Sequence, residues 1–235
     1  DLLVWQESLS DNLPGNMQII LTNQSVRTKK ILIPQTETYH RALQLTPTEQ
    51  HSFFGPLGYI YDFTKNDDIR KDAFVLTNSD QLEAMSYLVT QAPNVTFRIA
   101  ALTEMSPTLL SMVQYPNVVL YQNISQNRIK ELLNVSSIYL DINHYGEVQG
   151  IVRKTFEHKQ VILGFAHTLH DSRYIAKENV FDQGKEADLV ARIKEIYQSV
   201  DSYKQAVAQQ IGQSSAVEPA VFRARFQEGV GDRNA

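Results

Sequence analysis

The sequence predicts an α/β fold: a Rossmann-like, doubly wound parallel sheet preceded by a short antiparallel β region. Three observations lead there. Five compact apolar runs begin at Ala73, Val95, Val118, Ile138 and Val161, so their starts lie roughly 20–24 residues apart. Helix-like segments fill the intervals, at 80–91, 106–113, 125–134 and 147–158. Capping chemistry stands at their starts, with Ser79 and Asp80 ahead of the first and Ser125 ahead of the third. Apolar strands alternating with helices are the pattern of a parallel sheet covered on both faces.

The first 60 residues read differently. Leu2–Gln6, Met17–Thr22 and Lys30–Pro34 form short apolar runs, and Asn12-Leu13-Pro14-Gly15-Asn16 is turn chemistry. Short strands on short loops predict antiparallel pairing. A helical turn is expected near 37–45, and Gly55-Pro56-Leu57-Gly58 marks a connection. Beyond the sheet, 185–209 predicts one long helix, because Leu189, Ile193, Ile196, Val200, Tyr203 and Val207 recur at steps of four and three. Residues 212–235 have weak periodicity and read as a tail, flexible or foreign to the natural protein. The expected division is 1–60, the β-rich end of a preceding domain; 61–211, the Rossmann-like domain; and 212–235.

Composition narrows the function classes. The chain has 235 residues, 22 basic and 26 acidic side chains, a net charge of -4 and no cysteine. Zinc-thiolate, iron–sulfur and cysteine-nucleophile chemistry are thereby excluded. A slightly acidic balance argues against a broad nucleic-acid surface. The N-terminus has no basic region followed by an apolar run, so no secretory signal is read there. The apolar runs are far short of the ~20 residues that cross a bilayer, and the chain is expected to be soluble or at most peripheral. Its start at Asp1 suggests a piece of a longer protein. No P-loop, G-x-G-x-x-G, G-x-S-x-G or H-E-x-x-H occurs.

In open α/β sheets ligands bind beyond the carboxyl ends of the strands. The loops to inspect are therefore Thr77-Asn78-Ser79-Asp80, Ala101-Leu102-Thr103-Glu104-Met105, Asp141-Ile142-Asn143-His144-Tyr145-Gly146-Glu147 and Gly164–His170. The third is the most polar. Gly146 ahead of a helix suits an anion facing backbone amides, which makes it a phosphate or sugar site; an ordinary strand-to-helix turn is the equal alternative. His167 and His170 with Asp171 suggest metal or acid–base work, but the third ligand would be a guess and loop histidines of this kind more often make hydrogen bonds, so no metal and no cofactor is assigned.

These residues also carry a resemblance. Leu76–Glu83 resembles the opening of the C-terminal half of a two-Rossmann-domain (GT-B) glycosyltransferase. The series Ile99–Ser106, Tyr115–Tyr121, Ile138–His144, Leu163-Gly164-Phe165 and Thr168-Leu169-His170 resembles the stabilising subunits of the bacterial O-linked N-acetylglucosamine transferases of the accessory Sec system, over about residues 1–210. The resemblance implies a longer GT-B chain and a catalytic GT-B partner. It implies transfer from UDP-N-acetylglucosamine to Ser/Thr of serine-rich repeat adhesins, in the cytoplasm or at the inner face of the membrane. It also implies that the stabilising subunit holds the polypeptide acceptor.

Two departures from catalytic relatives point to a helper. A retaining GT-B enzyme places Arg and Lys after the first strand of this domain to neutralise the leaving pyrophosphate. Here 77–83 contains neither and holds two acids. Such enzymes also carry two glutamates eight residues apart; here Glu147 is followed by Thr155. The expected ligand- or acceptor-binding residues are Asn78, Ser79, Glu104, Asn143, His144, Glu147, His170 and Arg173, with no catalytic residue among them. The cleft's ligand is a sugar, a glycopeptide or the nucleotide sugar. Rival readings are an active half whose phosphates lie on Arg173, Lys177 or Arg153, and an interaction domain with an unused cleft.

Overall fold

A computed structural model describes residues 3–5, 30–32, 51–53, 57–64 and 69–231. The chain divides into two compact units, 1–61 with 215–235, and 62–214.

In the first unit β1 (Leu3–Trp5), β2 (Lys30–Leu32) and β3 (His51–Phe53) form a three-stranded sheet in the order β1-β2-β3. Leu3 pairs with Lys30, and Lys30 with His51, both ladders running parallel. The antiparallel expectation is corrected here. Residues 6–29 and 33–50 separate these strands, far more chain than a hairpin uses and enough for crossovers. The strand expected at 17–22 and the helical turn at 37–45 lie outside the described residues.

The second unit holds β4 (Asp72–Thr77), β5 (Thr96–Ala101), β6 (Val118–Tyr121), β7 (Ile138–Asp141), β8 (Val161–Phe165) and β9 (Val180–Phe181). They form a parallel sheet in the order β6-β5-β4-β7-β8-β9. All residues of β4, β7 and β8 are buried. That is why they read as continuous apolar runs rather than alternating ones. Phe74, Phe97, Phe156 and Phe165 are essentially inaccessible, each worth roughly 1.5–3 kcal/mol of burial. Charge inside the sheet is paired: the Arg98 guanidinium donates to the Asp72 carboxylate at 3.1 Å and to the Tyr121 hydroxyl at 2.7 Å.

The connections are α1 (Met85–Gln91), α2 (Pro107–Ser111, continued by a 3₁₀ turn Met112–Gln114), α3 (Gln126–Val135) and α4 (Ile151–Glu157). Ser106 and Ser125 cap α2 and α3 by accepting from the amides of Leu109 and Arg128. The helix expected from Asp80 begins only at Met85, because 81–83 are engaged elsewhere, as described below.

The long terminal helix is two helices, α5 (Glu186–Ile196) and α6 (Val200–Gln213). Ser199 breaks it: in extended backbone, its hydroxyl accepts from the Ser202 amide at 3.0 Å and starts α6. The Tyr197 hydroxyl donates to the Asp72 carbonyl at 2.8 Å and pins the break to β4. Leu189, Ile193, Ile196, Tyr203 and Val207 of the predicted stripe are buried, whereas Val200, beside the break, is 54% exposed.

Residues 219–231 form a helix, α7 (Pro219–Gly231), where a tail is expected. Most of its described side chains are exposed, so no apolar period marks it in the sequence. Within the same unit the Tyr59 amide donates to the Ser215 carbonyl at 2.7 Å, and the Val217 amide to the Tyr59 carbonyl at 2.9 Å. Gly58 lies at φ 77°, and a Cβ there would fall 2.9 Å from the Ser215 carbonyl oxygen, so this approach requires glycine. Among the described residues, no helix is long and apolar enough to cross a membrane.

Candidate functional site

The chain runs from β4 outward to β5 and β6, then returns to lay β7 on the other side of β4. The direction of winding therefore reverses between β4 and β7, and crevices for ligands open at the carboxyl ends of strands at such a point. The loops after β4, β7 and β8 meet there.

The loop after β4 is tied down by its own side chains. The Thr77 hydroxyl donates to the Ser79 carbonyl at 2.7 Å and accepts the Ser79 amide at 3.0 Å. Residues 81–83 then pair with the loop after β7. The Glu83 amide donates to the Ile142 carbonyl at 2.9 Å, the His144 amide to the Gln81 carbonyl at 3.2 Å, and Leu82 bridges Asn143. This pairing displaces the predicted helix start. Ala84 takes a left-handed conformation, φ 55°, to turn the chain into α1.

Asn143 is the junction of the two loops. It is 3% exposed. Its Oδ1 accepts from the Tyr145 amide at 3.2 Å and the Ser79 hydroxyl at 3.4 Å, and its Nδ2 donates to Asn78 Oδ1 at 3.4 Å. Asn78, Ser79 and Asn143 thus come together as one hydrogen-bonded group.

Beside them lies an open cluster. Glu83 Oε2 stands 2.6 Å from His144 Nε2 and 3.4 Å from His167 Nε2. The two imidazoles lie 5.5 Å apart, centre to centre. The side chains of Glu83, His144 and His167 are 19%, 33% and 32% exposed. Burial pushes the Glu83 carboxyl up, but hydrogen bonds from His144 and then His167 outweigh it and hold the group below its ordinary value.

His170 belongs to a second, closed cluster. Asp141, fully buried at the end of β7, accepts the His170 amide at 2.8 Å on Oδ2 and faces the His170 ring Nδ1 at 2.5 Å with Oδ1. The ring Nε2 faces the Tyr145 carbonyl. Carboxylate and carbonyl are both acceptors, so the arrangement favours a proton on each ring nitrogen, the imidazolium form. The hydrogen bond to Asp141 raises the His170 pKa, against the opposing effect of burial. The Thr168 hydroxyl donates to the Asp141 carbonyl at 2.7 Å and closes the loop around the pair.

Three of the sequence candidates are occupied or stand apart. Glu147 Oε1 accepts the Val152 amide at 2.8 Å, so this carboxylate itself fills the N-terminus of α4 where an anion is expected. Gly150, at φ 62°, starts that helix four residues later than Gly146 suggests. Arg173 forks onto Asp171, Nε at 2.9 Å and a terminal nitrogen at 2.6 Å, inside a 3₁₀ turn. Glu104 is exposed after β5, and no described contact joins its carboxylate to the crevice. Thr155, at the position of the missing second glutamate, is buried and donates to the Val152 carbonyl within α4. Of the rival phosphate ligands, Arg153 Nε holds Glu157 at 2.9 Å.

Glu83, Asp141 and Tyr145 escape sequence reasoning as site residues, and His167 is paired there with the wrong partners. The spacing of His167 and His170 suggests joint ligation, yet they serve different clusters. The usable signal was position alone: each lies at the end of a strand adjoining the switch point, on the loop that faces it.

The chain is similar to known proteins over most of its length. Residues 73–210 match the family described as the GftB/GlyA-F C-terminal domain, and residues 1–45 match the GtfB third domain. The UDP-N-acetylglucosamine–peptide N-acetylglucosaminyltransferase stabilizing protein GtfB of Streptococcus pneumoniae serotype 4 is 48% identical over 98% of this chain and 52% of its own length. The protein of the same name from Streptococcus gordonii is 47% identical over 100% of the chain and 52% of its own. The chain thus spans about half the length of the curated relatives it matches. Among solved structures, a GtfA/B complex bound to UDP and GlcNAc matches with a TM-score of 0.77 and 44% identity, covering 97% of this chain and 51% of that one. TarM, at 13% identity and a TM-score of 0.50, shares the fold alone. On the family match across residues 73–210, more than half of its length, the chain belongs to the GftB/GlyA-F C-terminal domain family.

Proposed function

We propose that the chain is part of a non-catalytic stabilising subunit of a protein O-linked N-acetylglucosaminyltransferase, and that its switch-point crevice holds the glycosylated polypeptide acceptor. The observation that carries this is the wiring of the crevice. Where a donor-binding enzyme needs cations against a leaving pyrophosphate, the loop after β4 offers Asn78, Ser79, Asp80 and Glu83. The helix N-terminus that would receive a phosphate already holds Glu147. Losing a single charge-stabilising donor costs about 3–4 kcal/mol of catalysis, so a crevice without that set is poorly suited to turnover.

What the rim offers suits a neutral sugar or a peptide. Asn78 is exposed, Ser79 and His144 are partly so, and Tyr145 presents a ring 52% exposed to its surroundings. Amides and hydroxyls pair with sugar hydroxyls and peptide groups, and an aromatic face takes a pyranose or an apolar side chain. The partner in this reading is a catalytic GT-B subunit, the acceptor a serine-rich adhesin, and the location the cytoplasm up to the inner membrane face. The stabilising-protein names and the GtfA/B complex among the relatives support the stabilising role and the transferase partner. An active half using Arg153 or Arg173 is disfavoured, since a phosphate would have to displace Glu157 or Asp171.

Titration calorimetry on the full-length protein tests the proposal. UDP-N-acetylglucosamine gives no binding heat, and a serine-rich peptide already carrying N-acetylglucosamine does. Micromolar binding of the nucleotide sugar, with turnover onto that peptide, overturns the reading.

A further inference from the structure

We propose that Glu83, His144 and His167 bind a divalent transition-metal ion, zinc foremost, at the carboxyl ends of β4, β7 and β8. The three offer one carboxylate oxygen and two imidazole nitrogens, all within 4.8 Å of one another. Two histidines and a glutamate, with a further position left to solvent, is a recurrent ligand set of open zinc sites. Its mixed nitrogen and oxygen character favours zinc and its neighbours over calcium or magnesium, which demand more oxygens.

The distances fit. With metal–ligand bonds of about 2.0–2.2 Å, the edge of a tetrahedron is roughly 3.3–3.6 Å. Glu83 Oε2 to His167 Nε2 is 3.4 Å, already such an edge. Glu83 to His144, at 2.6 Å, is a hydrogen bond that opens by under about 1 Å when an ion takes the place of the shared proton. Small side-chain rotations suffice, because the backbone mounts are fixed. Glu83 and His144 are locked to each other's loops through the Ile142 and Gln81 carbonyls. His167 lies two residues beyond the end of β8, its ring 6.0 Å from that of Phe165 centre to centre, and the next residue, Thr168, is anchored on Asp141.

The chemistry of the neighbours sharpens the choice. His170, three residues from His167, is no ligand, since both its ring nitrogens are committed to Asp141 and Tyr145. His144 and His167 instead direct Nε2 at one shared carboxylate oxygen. Glu83 is partly buried and both histidines are exposed, which leaves a path to solvent for the ion and for a bound water. No sequence motif announces the set, because its members come from three different loops.

The test is a titration of metal-stripped full-length protein with Zn²⁺ by calorimetry and with Co²⁺ by visible absorption. One equivalent of Zn²⁺ binds with micromolar or tighter affinity, and Co²⁺ develops the intense d–d bands of a low-coordinate site. Glu83→Gln, His144→Ala and His167→Ala each weaken Zn²⁺ by at least about tenfold, while the exposed control Glu104→Gln leaves it unchanged. Circular dichroism of each variant separates loss of a ligand from loss of fold. The absence of stoichiometric binding, or binding undiminished in a folded His144→Ala/His167→Ala protein, overturns the site. The nucleotide-sugar titration decides the functional reading separately, so either can fail alone.

Discussion

His170 and His144 leave the same end of the sheet on loops that meet, yet their surroundings make them different chemical objects. His170 has a buried carboxylate on one ring nitrogen and a carbonyl on the other, so it is closed: charged, fully hydrogen-bonded, and unavailable. His144 shares the partly buried Glu83 carboxylate with a second histidine, and both rings stay about one-third exposed. A closed pair holds loops together, and an open one faces ligands. The same contrast separates Glu147, spent on the amide of Val152, from Glu83, which faces two imidazoles.

Asp141→Ala opens the closed cluster most severely. It strands a charged imidazole against the protein interior and removes the carboxylate that accepts the His170 amide. Breaking a buried pair from one side costs about 3–5 kcal/mol, so the urea midpoint at neutral pH falls steeply. A loss below about 1 kcal/mol would mean that His170 is neutral and the closed cluster is not closed.

A smaller effect comes from pH, and it has opposite signs in the two clusters. The folded-state pKa of His170 is raised above 6.5. Its contribution is therefore full below about pH 6.5 and fades as pH rises through the folded value. The folded-state pKa of Glu83 is lowered from 4.5, so its contribution is present above that value and fades as pH falls through the lowered one. Unfolding curves of His170→Gln thus converge on wild type at high pH, and those of Glu83→Gln converge at low pH. Convergence of both on the same side would contradict the assignment of charges.

Much of the second unit is legible in the sequence, since fully buried parallel strands leave continuous apolar runs and Ser125 marks a real helix start. The misreadings share a cause: a local signal outweighed by a partner far along the chain. Asp80 resembles a helix start, but 81–83 pair with 142–144 instead. The stripe over 185–209 continues across a break that a single capping serine creates. The β1–β3 ladders are parallel because pairing follows connection length rather than strand length. In the site, strand-end position leads to the loops that meet at the switch point. It could not tell that Glu147 turns back onto its own helix, or that His167 meets Glu83 rather than His170, because those choices depend on loop geometry.

In the proposed function the crevice binds an acceptor and does not perform the transfer. The most direct measurement is steady-state glycosylation by the full-length protein reconstituted with its catalytic GT-B partner, comparing wild type with Asn78→Ala/Tyr145→Ala. Both side chains are exposed at the rim, so the fold is expected to survive. The KM for the glycopeptide acceptor rises severalfold, with kcat and the KM for UDP-N-acetylglucosamine unchanged. A fall in kcat with the acceptor KM unchanged would place the crevice in the chemical step and contradict it.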